Sequence, residues 1–362
     1  MSKKLLKMPA AVPVVLGANT ALAIAAGVAA VVGVSALHKR RAMAQARSAG
    51  LRGGHDDSQA LRVGLLRVHV PQNFRDLVKN DVLLEKAVGL VSRTLVIYVL
   101  GRDKHEVVNY TSELYALVWD IACVQDKPLL DIRIVGGFPN DPQGRTWDEL
   151  MLQPELNAVM GEDALVDVQK LNAKRFERDG LFAVTYHPLA LHVARRLSDE
   201  FQYFENEQTD LTPRELVLLG GTFDHLHNGH KKLLSLAVSI CSRRLIVGVT
   251  ADSMLVHKKH AHLVESIETR KQAVRKYVAF LKPSLQVDCV TITDPFGPAI
   301  VVPEAATIVV STETLAGATK INDIREERGL PKVQIYACRR TESSTLSSSS
   351  IRDQLAARRR RG

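Results

Sequence analysis

The chain has 362 residues, 46% of them hydrophobic, with a formal net charge of +9. That length suits about two domains. The charge suggests nucleic acid, but its distribution excludes that reading. Residues 1–52 hold eight basic side chains (Lys3, Lys4, Lys7, Lys39, Arg40, Arg41, Arg47, Arg52) and no acid, leaving 40 basic against 39 acidic residues for a nearly neutral body. The four cysteines, Cys123, Cys241, Cys289 and Cys338, show no metal-ligand spacing and read as reduced thiols of a cytosol-facing protein.

Met8 to Leu37 contains no charged residue. A helix of about 20 apolar residues can cross a bilayer, so this stretch is long enough. Lysines precede it and His38-Lys39-Arg40-Arg41 follow, whereas a cleaved signal peptide carries its basic charge in front. Residues 1–60 are therefore expected to be a transmembrane anchor with a basic, Gly-containing linker from 38 to 60. The catalytic body would face the cytosol, with the outer mitochondrial membrane as the candidate location. Positive charge on both flanks leaves the orientation weakly determined.

Residues 61–205 show mixed α/β patterning, with strands expected at 61–70, 94–100, 130–135 and 182–186. A helix is expected over 113–124 and another from Pro188 to about 197. The continuously apolar run Thr94 to Leu100 fits a sheet covered on both faces. No catalytic constellation stands out here, and His187 and His192 read as packing or surface histidines. A polar stretch from Asn206 to Pro213 marks a boundary. Beyond it, expected strands (215–220, 244–250, 285–293, 306–311, 332–338) mix with expected helices (229–241, 268–281, 317–328, 348–357). That alternation implies βαβ crossovers and a parallel sheet. No internal repeat is evident by inspection.

The chemistry concentrates at the first of these junctions. Gly220-Gly221-Thr222-Phe223-Asp224-His225-Leu226-His227-Asn228-Gly229-His230 links an apolar strand to a helix. There the strand's carboxyl end and the helix's positive amino end face one crevice, a natural phosphate site. His227 and His230 bracket a glycine that allows close backbone approach, and both imidazoles can donate to one phosphate. His-x-x-His lacks the i, i+4 register and third ligand of common zinc sites, so no metal ligands are assigned. Phe223 and Asp224 read as turn-shaping residues. A second element, Ser347-Ser348-Ser349-Ser350-Ile351-Arg352, opens a late helix and offers hydroxyls, N–H groups and a forked guanidinium as a second anion cradle.

These motifs resemble the nucleotidyltransferase superfamily of Rossmann-like α/β enzymes. More narrowly, residues 214–355 resemble phosphopantetheine adenylyltransferase of the eukaryotic and archaeal type, the adenylyltransferase part of bifunctional CoA synthase. The narrower match uses Gly220 to Asp224, Asp294-Pro295-Phe296-Gly297-Pro298, Val310-Ser311 to Glu313-Thr314, Lys320-Ile321-Asn322 with Arg325, Arg328-Gly329-Leu330, and Ser347 to Arg352. The resemblance implies a Rossmann-like catalytic domain over 206–362, behind an α/β domain of unassigned role over 61–205. It implies transfer of the adenylyl group of ATP to 4′-phosphopantetheine, giving dephospho-CoA and pyrophosphate in coenzyme A biosynthesis. His227, His230 and Lys258 are the implied catalytic residues, with Lys259 an alternative to Lys258. Gly221, Thr222, Phe223, His230, Ser347, Ser348, Ser349 and Arg352 would bind ATP and its phosphates. Thr222, Lys258, Asp294, Phe296 and Gly297 would meet the second substrate, and Arg270 would support the site or cap packing. Mg²⁺ would arrive with ATP. No Gly-x-x-x-x-Gly-Lys-Ser/Thr loop occurs, so a separate dephospho-CoA kinase is an expected partner. One position departs from the pattern: Ala316 stands where many relatives carry arginine, and Lys320 or Arg325 would have to supply the charge. Two alternatives stand beside this reading: a cytidylyltransferase of phospholipid synthesis, and a membrane-tethered scaffold that has lost activity.

Overall fold

The computed structural model describes residues 61–138, 144–162, 168–189, 210–311, 314–338 and 347–359. The expected anchor and linker, His192, and most of the expected helix from Pro188 lie outside these residues. Among the described residues, no helix is long and apolar enough to cross a membrane. Two five-stranded, all-parallel sheets form the body, and both belong to one compact unit, Asp57–Gly362. Strands of the first half end at Pro188 and those of the second begin at Arg214, so the expected boundary near 206 falls outside the described set.

The first half runs β1 (Leu61–His69), α1 (Phe74–Leu90), β2 (Val91–Leu100), α2 (Lys104–Val124), β3 (Asp131–Gly137), α3 (Trp147–Met151), β4 (Ala158–Gly161), α4 (Val168–Asp179) and β5 (Thr185–Pro188). The second runs β6 (Arg214–Gly221), α5 (Asn228–Ile240), β7 (Cys241–Thr250), α6 (Ile267–Leu281), β8 (Gln286–Ile292), β9 (Thr307–Ser311), α7 (Leu315–Glu327), β10 (Gln334–Cys338) and α8 (Ser348–Arg359). Second-half elements fall within a few residues of the sequence expectations, because strand and helix periods alternate cleanly there. In the first half α1, α3, β4 and α4 have no counterpart among the sequence expectations, and Pro188, expected to open a helix, ends β5. The α4 segment is mostly polar and β4 is only four residues long, so neither gives a periodic signal.

The two halves are copies of one fold. Their strand orders, β3-β2-β1-β4-β5 and β8-β7-β6-β9-β10, are the same topology. Both first strands carry a register shift at the same place, between Leu61 and Val63 in one and between Arg214 and Leu216 in the other. Ala87-Val88 and Ser92-Arg93 recur 150 positions later as Ala237-Val238 and Ser242-Arg243. With the same offset, Asn172 and Arg175 recur as Asn322 and Arg325. Asn172 exchanges two hydrogen bonds with the backbone of Val184, and Asn322 does so with Val333. Arg175 is buried and donates to the carbonyls of Phe182, Met151 and Gln153; Arg325 is buried and donates to those of Pro331, Ala299, Val302 and Glu304. Each helix ends on a left-handed glycine, Gly180 (φ 61°) and Gly329 (φ 67°). The sequence expectation of no repeat is thus corrected: identity survives at scattered structural positions, too sparse to show as a period.

One apolar core runs through both halves, from Leu65 and Ile97 to Val217 and Val247. The halves meet where α2 lies along α5.

Candidate active site

Strand β6 sits between β7 and β9, where the chain reverses its direction across the sheet. Open α/β sheets bind ligands at the carboxyl end of such a point. Gly220 and Gly221 close the strand there and the loop to α5 follows. Phe223 (φ 53°) and His225 (φ 47°) both hold left-handed backbone conformations. Two non-glycine residues of this kind in one short turn persist only when surrounding contacts enforce them.

Asp224 is the enforcing contact. Its side chain is fully buried. One oxygen accepts the backbone N–H of Glu265 at 3.0 Å and the other pairs with the guanidinium of Arg352. Glu265 in turn accepts the N–H of His225 at 2.8 Å, and His225 Nε2 donates to the carbonyl of Leu263 at 2.9 Å. Phe223 is fully buried and packs against His230, ring centroids 5.3 Å apart. Arg270, also fully buried, donates to the carbonyls of Thr222 (2.7 Å) and Glu265 (2.9 Å) and pairs with Asp252. It supports the loop and does not face a ligand.

The histidines stand at the amino end of α5. His227 caps the helix, its Nδ1 accepting the N–H of Gly229 at 3.1 Å, which leaves Nε2 as the protonated nitrogen of the neutral ring. A Cβ at Gly229 would lie 3.1 Å from His227 Cε1, so the bare glycine lets the ring fold back. His227 and His230 stack with centroids 3.8 Å apart. Burial pushes His230 down to about 3, with Lys258 adding to the effect. Burial, then His230 and Lys231, hold His227 well below the ordinary imidazole value. Both rings are therefore neutral in this state. Nδ1 of His230 is buried and has no hydrogen-bond partner among the described residues. A buried ring nitrogen left unsatisfied at a helix amino end calls for an explanation, and a ligand contact is one. Lys258 is exposed and its Nζ lies 3.4 Å from Thr222 Oγ1, over the same loop. Lys259 pairs instead with Asp353, so Lys258 is the one of the two that reaches Thr222.

The serine-bearing helix docks onto this loop. Ser348 Oγ donates to the Asp224 carbonyl at 3.0 Å. Arg352, only 1% exposed, spends its guanidinium on Asp224, the carbonyl of Lys259 (3.0 Å) and Ser349 Oγ (3.1 Å). The convergence of the two distant motifs is thus direct. The role expected for Arg352 is corrected, because a guanidinium buried against a carboxylate and a carbonyl is a pin between loops, not a donor open to phosphate. Ser347 and Ser349 remain at the accessible start of α8.

Asp294 is a turn-former: its carboxylate accepts the N–H groups of Phe296 (2.8 Å) and Gly297 (2.7 Å). Both bonds use one oxygen, Oδ1, of an exposed residue. Gly297 (φ 52°) must be glycine, since a Cβ there would meet Ile292 Cγ2 at 2.3 Å. Phe296 is half-buried, with Lys320 Nζ 5.8 Å from its ring centroid, and the two form a wall beyond β8. Arg325 cannot replace the missing arginine at Ala316, because its guanidinium is consumed by carbonyls; Lys320 remains as the nearby cation. Asp224, His225 and Glu265 bring three ligand atoms within 4.8 Å. The Asp224 oxygens are already engaged, so this donor set fits a hydrogen-bonded lock and not a metal cage. The sequence reading missed Asp224 as a keystone and Glu265 altogether. Asp224 was visible in the motif; Glu265 lies 41 residues on with no motif around it.

Among the described residues of the first half, no such histidine loop or serine helix occurs. At the 150-residue offset, Leu77, Lys79 and Asn80 replace His227, Gly229 and His230. Asn80 is buried and donates to His69 O and Tyr110 Oη, both at 2.8 Å, so the position is structural.

Fold and site together define a nucleotidyltransferase-like α/β enzyme, and residues 218–354 match the cytidylyltransferase-like family. A phosphopantetheine adenylyltransferase of Pyrobaculum aerophilum is 40% identical over 139 residues, 38% of this chain and 88% of that protein. The chain belongs to the phosphopantetheine adenylyltransferase family. The Saccharomyces cerevisiae phosphopantetheine adenylyltransferase is 42% identical over 127 residues, 35% of this chain and 42% of that protein, so less than half of the yeast relative's length is spanned. An uncharacterized Schizosaccharomyces pombe protein is 31% identical over 274 residues, 70% of this chain and 82% of that protein. That last match is too long to lie within the second half alone.

Proposed function

We propose that the chain transfers the adenylyl group of ATP to 4′-phosphopantetheine, forming dephospho-CoA and pyrophosphate. The observation that supports it most is the docking of the serine helix on Asp224, beside two neutral, stacked histidines with an unpartnered Nδ1. A phosphate oxygen of phosphopantetheine attacks the α-phosphorus in line. The new P–O bond forms as the bond to the β-phosphate bridging oxygen breaks, and that oxygen leaves with pyrophosphate. The nucleophile is already anionic, so no general base is needed. Catalysis is positioning and charge neutralisation. Lys258, His227, His230 and the Thr222 hydroxyl neutralise the α-phosphoryl region. Ser347, Ser349 and the N–H groups opening α8 take the β- and γ-phosphates. The phosphates raise the imidazole pKa values, so the rings gain donor strength as the ligand arrives. Mg²⁺ accompanies ATP, held by phosphates and water, and no step is routed through a protein-bound ion. Phe296 and Lys320 flank the second substrate or the base. Tethering through residues 8–37 is a finer part of the proposal, tested by flotation of the full chain with vesicles.

The deciding experiment supplies the full-length chain with 4′-phosphopantetheine and either ATP or CTP and identifies products by mass. Dephospho-CoA from ATP, with no product from CTP, is the expected result. Product from CTP alone would assign the cytidylyltransferase reading, and no product from either would favour the scaffold.

A further inference from the structure

The first half shares the fold but not the histidine and serine motifs, yet it touches the two helices that carry them through one helix face. Tyr115 and Trp119 lie four residues apart on α2 and so project from the same side. The Tyr115 carbonyl accepts the side-chain amide of Asn228, the first residue of α5, at 3.2 Å in a buried position. The Tyr115 hydroxyl contacts Tyr277 and Ser235, and accepts the N–H of Ile134 at 3.2 Å. Lys231, the residue after His230, is buried and reaches back to the Asp131 carboxylate and the Ile132 carbonyl of β3. One turn along α2, Trp119 forms an apolar cluster with Ile351 of α8, both nearly fully buried, and with Leu355. So one helix of a half without active-site residues fixes the amino end of α5, with its histidines, and seats α8, with its serines.

We propose that α2 is a brace for the catalytic cradle, with Trp119 the positioning residue that holds the serine-bearing helix in its docked, ATP-competent place. This rests on the adenylyltransferase reading for its kinetic test but not for its binding test. The match to the Pyrobaculum relative takes in 88% of that protein with only 139 residues, fewer than the two halves here together. Here the docked state of α8 depends on the Asp224–Arg352 pin and on the Trp119 cluster. Weakening one lowers the docked population, and apparent ligand affinity falls by that fraction.

The test uses the full chain and exploits its two tryptophans, Trp119 and Trp147. Trp147 stands away from the site against Tyr98 and Arg67, so Trp147→Phe leaves Trp119 as the sole reporter. Titration with Mg·ATP, and separately with tripolyphosphate as a base-free probe, should change Trp119 emission saturably without any turnover. Trp119→Ala should raise the KM for ATP about tenfold, with kcat and the KM for phosphopantetheine changed less than about twofold, and Trp119→Phe should recover most of the loss. A silent Trp119 during ligand saturation, monitored by equilibrium dialysis, would overturn the brace. So would an unchanged ATP KM in Trp119→Ala. If Trp119→Ala does not fold, Trp119→Phe and the single-tryptophan titration still decide. A saturable emission change in a chain that releases no pyrophosphate would sustain the brace and reject the enzymatic reading; normal turnover with a silent Trp119 would do the reverse.

Discussion

The Asp224–Arg352 pair joins the histidine loop to the serine helix, and its replacement gives the sharpest test of how the site is built. The Arg352 side chain is 1% exposed and that of Asp224 0%, so Asp224→Asn leaves a buried guanidinium without its counter-charge. Breaking one partner of a buried pair costs about 3–5 kcal/mol. The amide can still accept the Glu265 N–H, so the loss should fall at the lower end, near about 3 kcal/mol. Asp224→Asn combined with Arg352→Met removes both charges, keeps the acceptor for the Glu265 N–H, and should recover much of that loss. Urea denaturation of the four species of the cycle (wild type, both single variants and the double) reads the coupling directly. A coupling of at least about 2 kcal/mol is expected, since the groups touch and share no solvent. The ATP KM should rise in the single variants as α8 loses its seat. A coupling below about 0.5 kcal/mol, with ATP KM unaltered, would refute the idea that this pair holds the two loops together.

His230→Ala should lower kcat by about 100- to 1,000-fold, the scale for losing one transition-state donor, with a much smaller change in ATP binding by calorimetry. Because burial lowers the pKa of His227 and His230 in the fold, the unfolded chain binds protons more readily. Stability should therefore be intact above the ordinary value of 6.5, fall as pH drops below it, and keep falling until His230 itself titrates near about 3. His230→Gln should shallow that fall in urea midpoints measured from pH 7 to 5. Arg175→Met should cost about 3 kcal/mol by stranding the three carbonyls it serves, and should loosen the first half without touching any ligand. Lys258→Ala should reduce kcat strongly while Lys259→Ala, which loses only an exposed pair with Asp353, should have little effect in the same assay.

The second half was readable from sequence because each signal there has a local cause. Apolar runs of five to ten residues alternate with amphipathic helices, and Gly220 to His230 places its chemistry at one junction. What the sequence could not show is which polar groups are consumed by the fold. Arg352, Arg325 and Asp294 look like ligands in one dimension. Only three-dimensional placement shows that Arg352 is taken by Asp224, the Lys259 carbonyl and Ser349, that four carbonyls take Arg325, and that one oxygen of Asp294 closes a turn. Lys258 and Lys259 are indistinguishable in sequence, and the position of Asp353 separates them. The duplication was hidden for a related reason. The positions that the two halves share, such as Asn172 with Asn322 and Arg175 with Arg325, are those that satisfy buried carbonyls and close the helix ends. They are few and separated by freely varying surface. The first half has Asn80 at the place of His230 and no second copy of the histidine motif, so the most recognisable segment does not announce the repeat.

The account turns on two neutral imidazoles that wait, stacked, for a polyphosphate. Nitrogen-15 spectra of the full chain with labelled histidine, recorded at pH 7 with and without Mg·ATP, measure this directly. The account predicts that ATP moves the His230 ring nitrogens toward the imidazolium range and shifts His227 Nε2 as it donates, its Nδ1 still accepting the Gly229 N–H, while those of His69, held on the first half, stay unchanged. Both active-site rings keeping their neutral shifts at saturating ATP would contradict it.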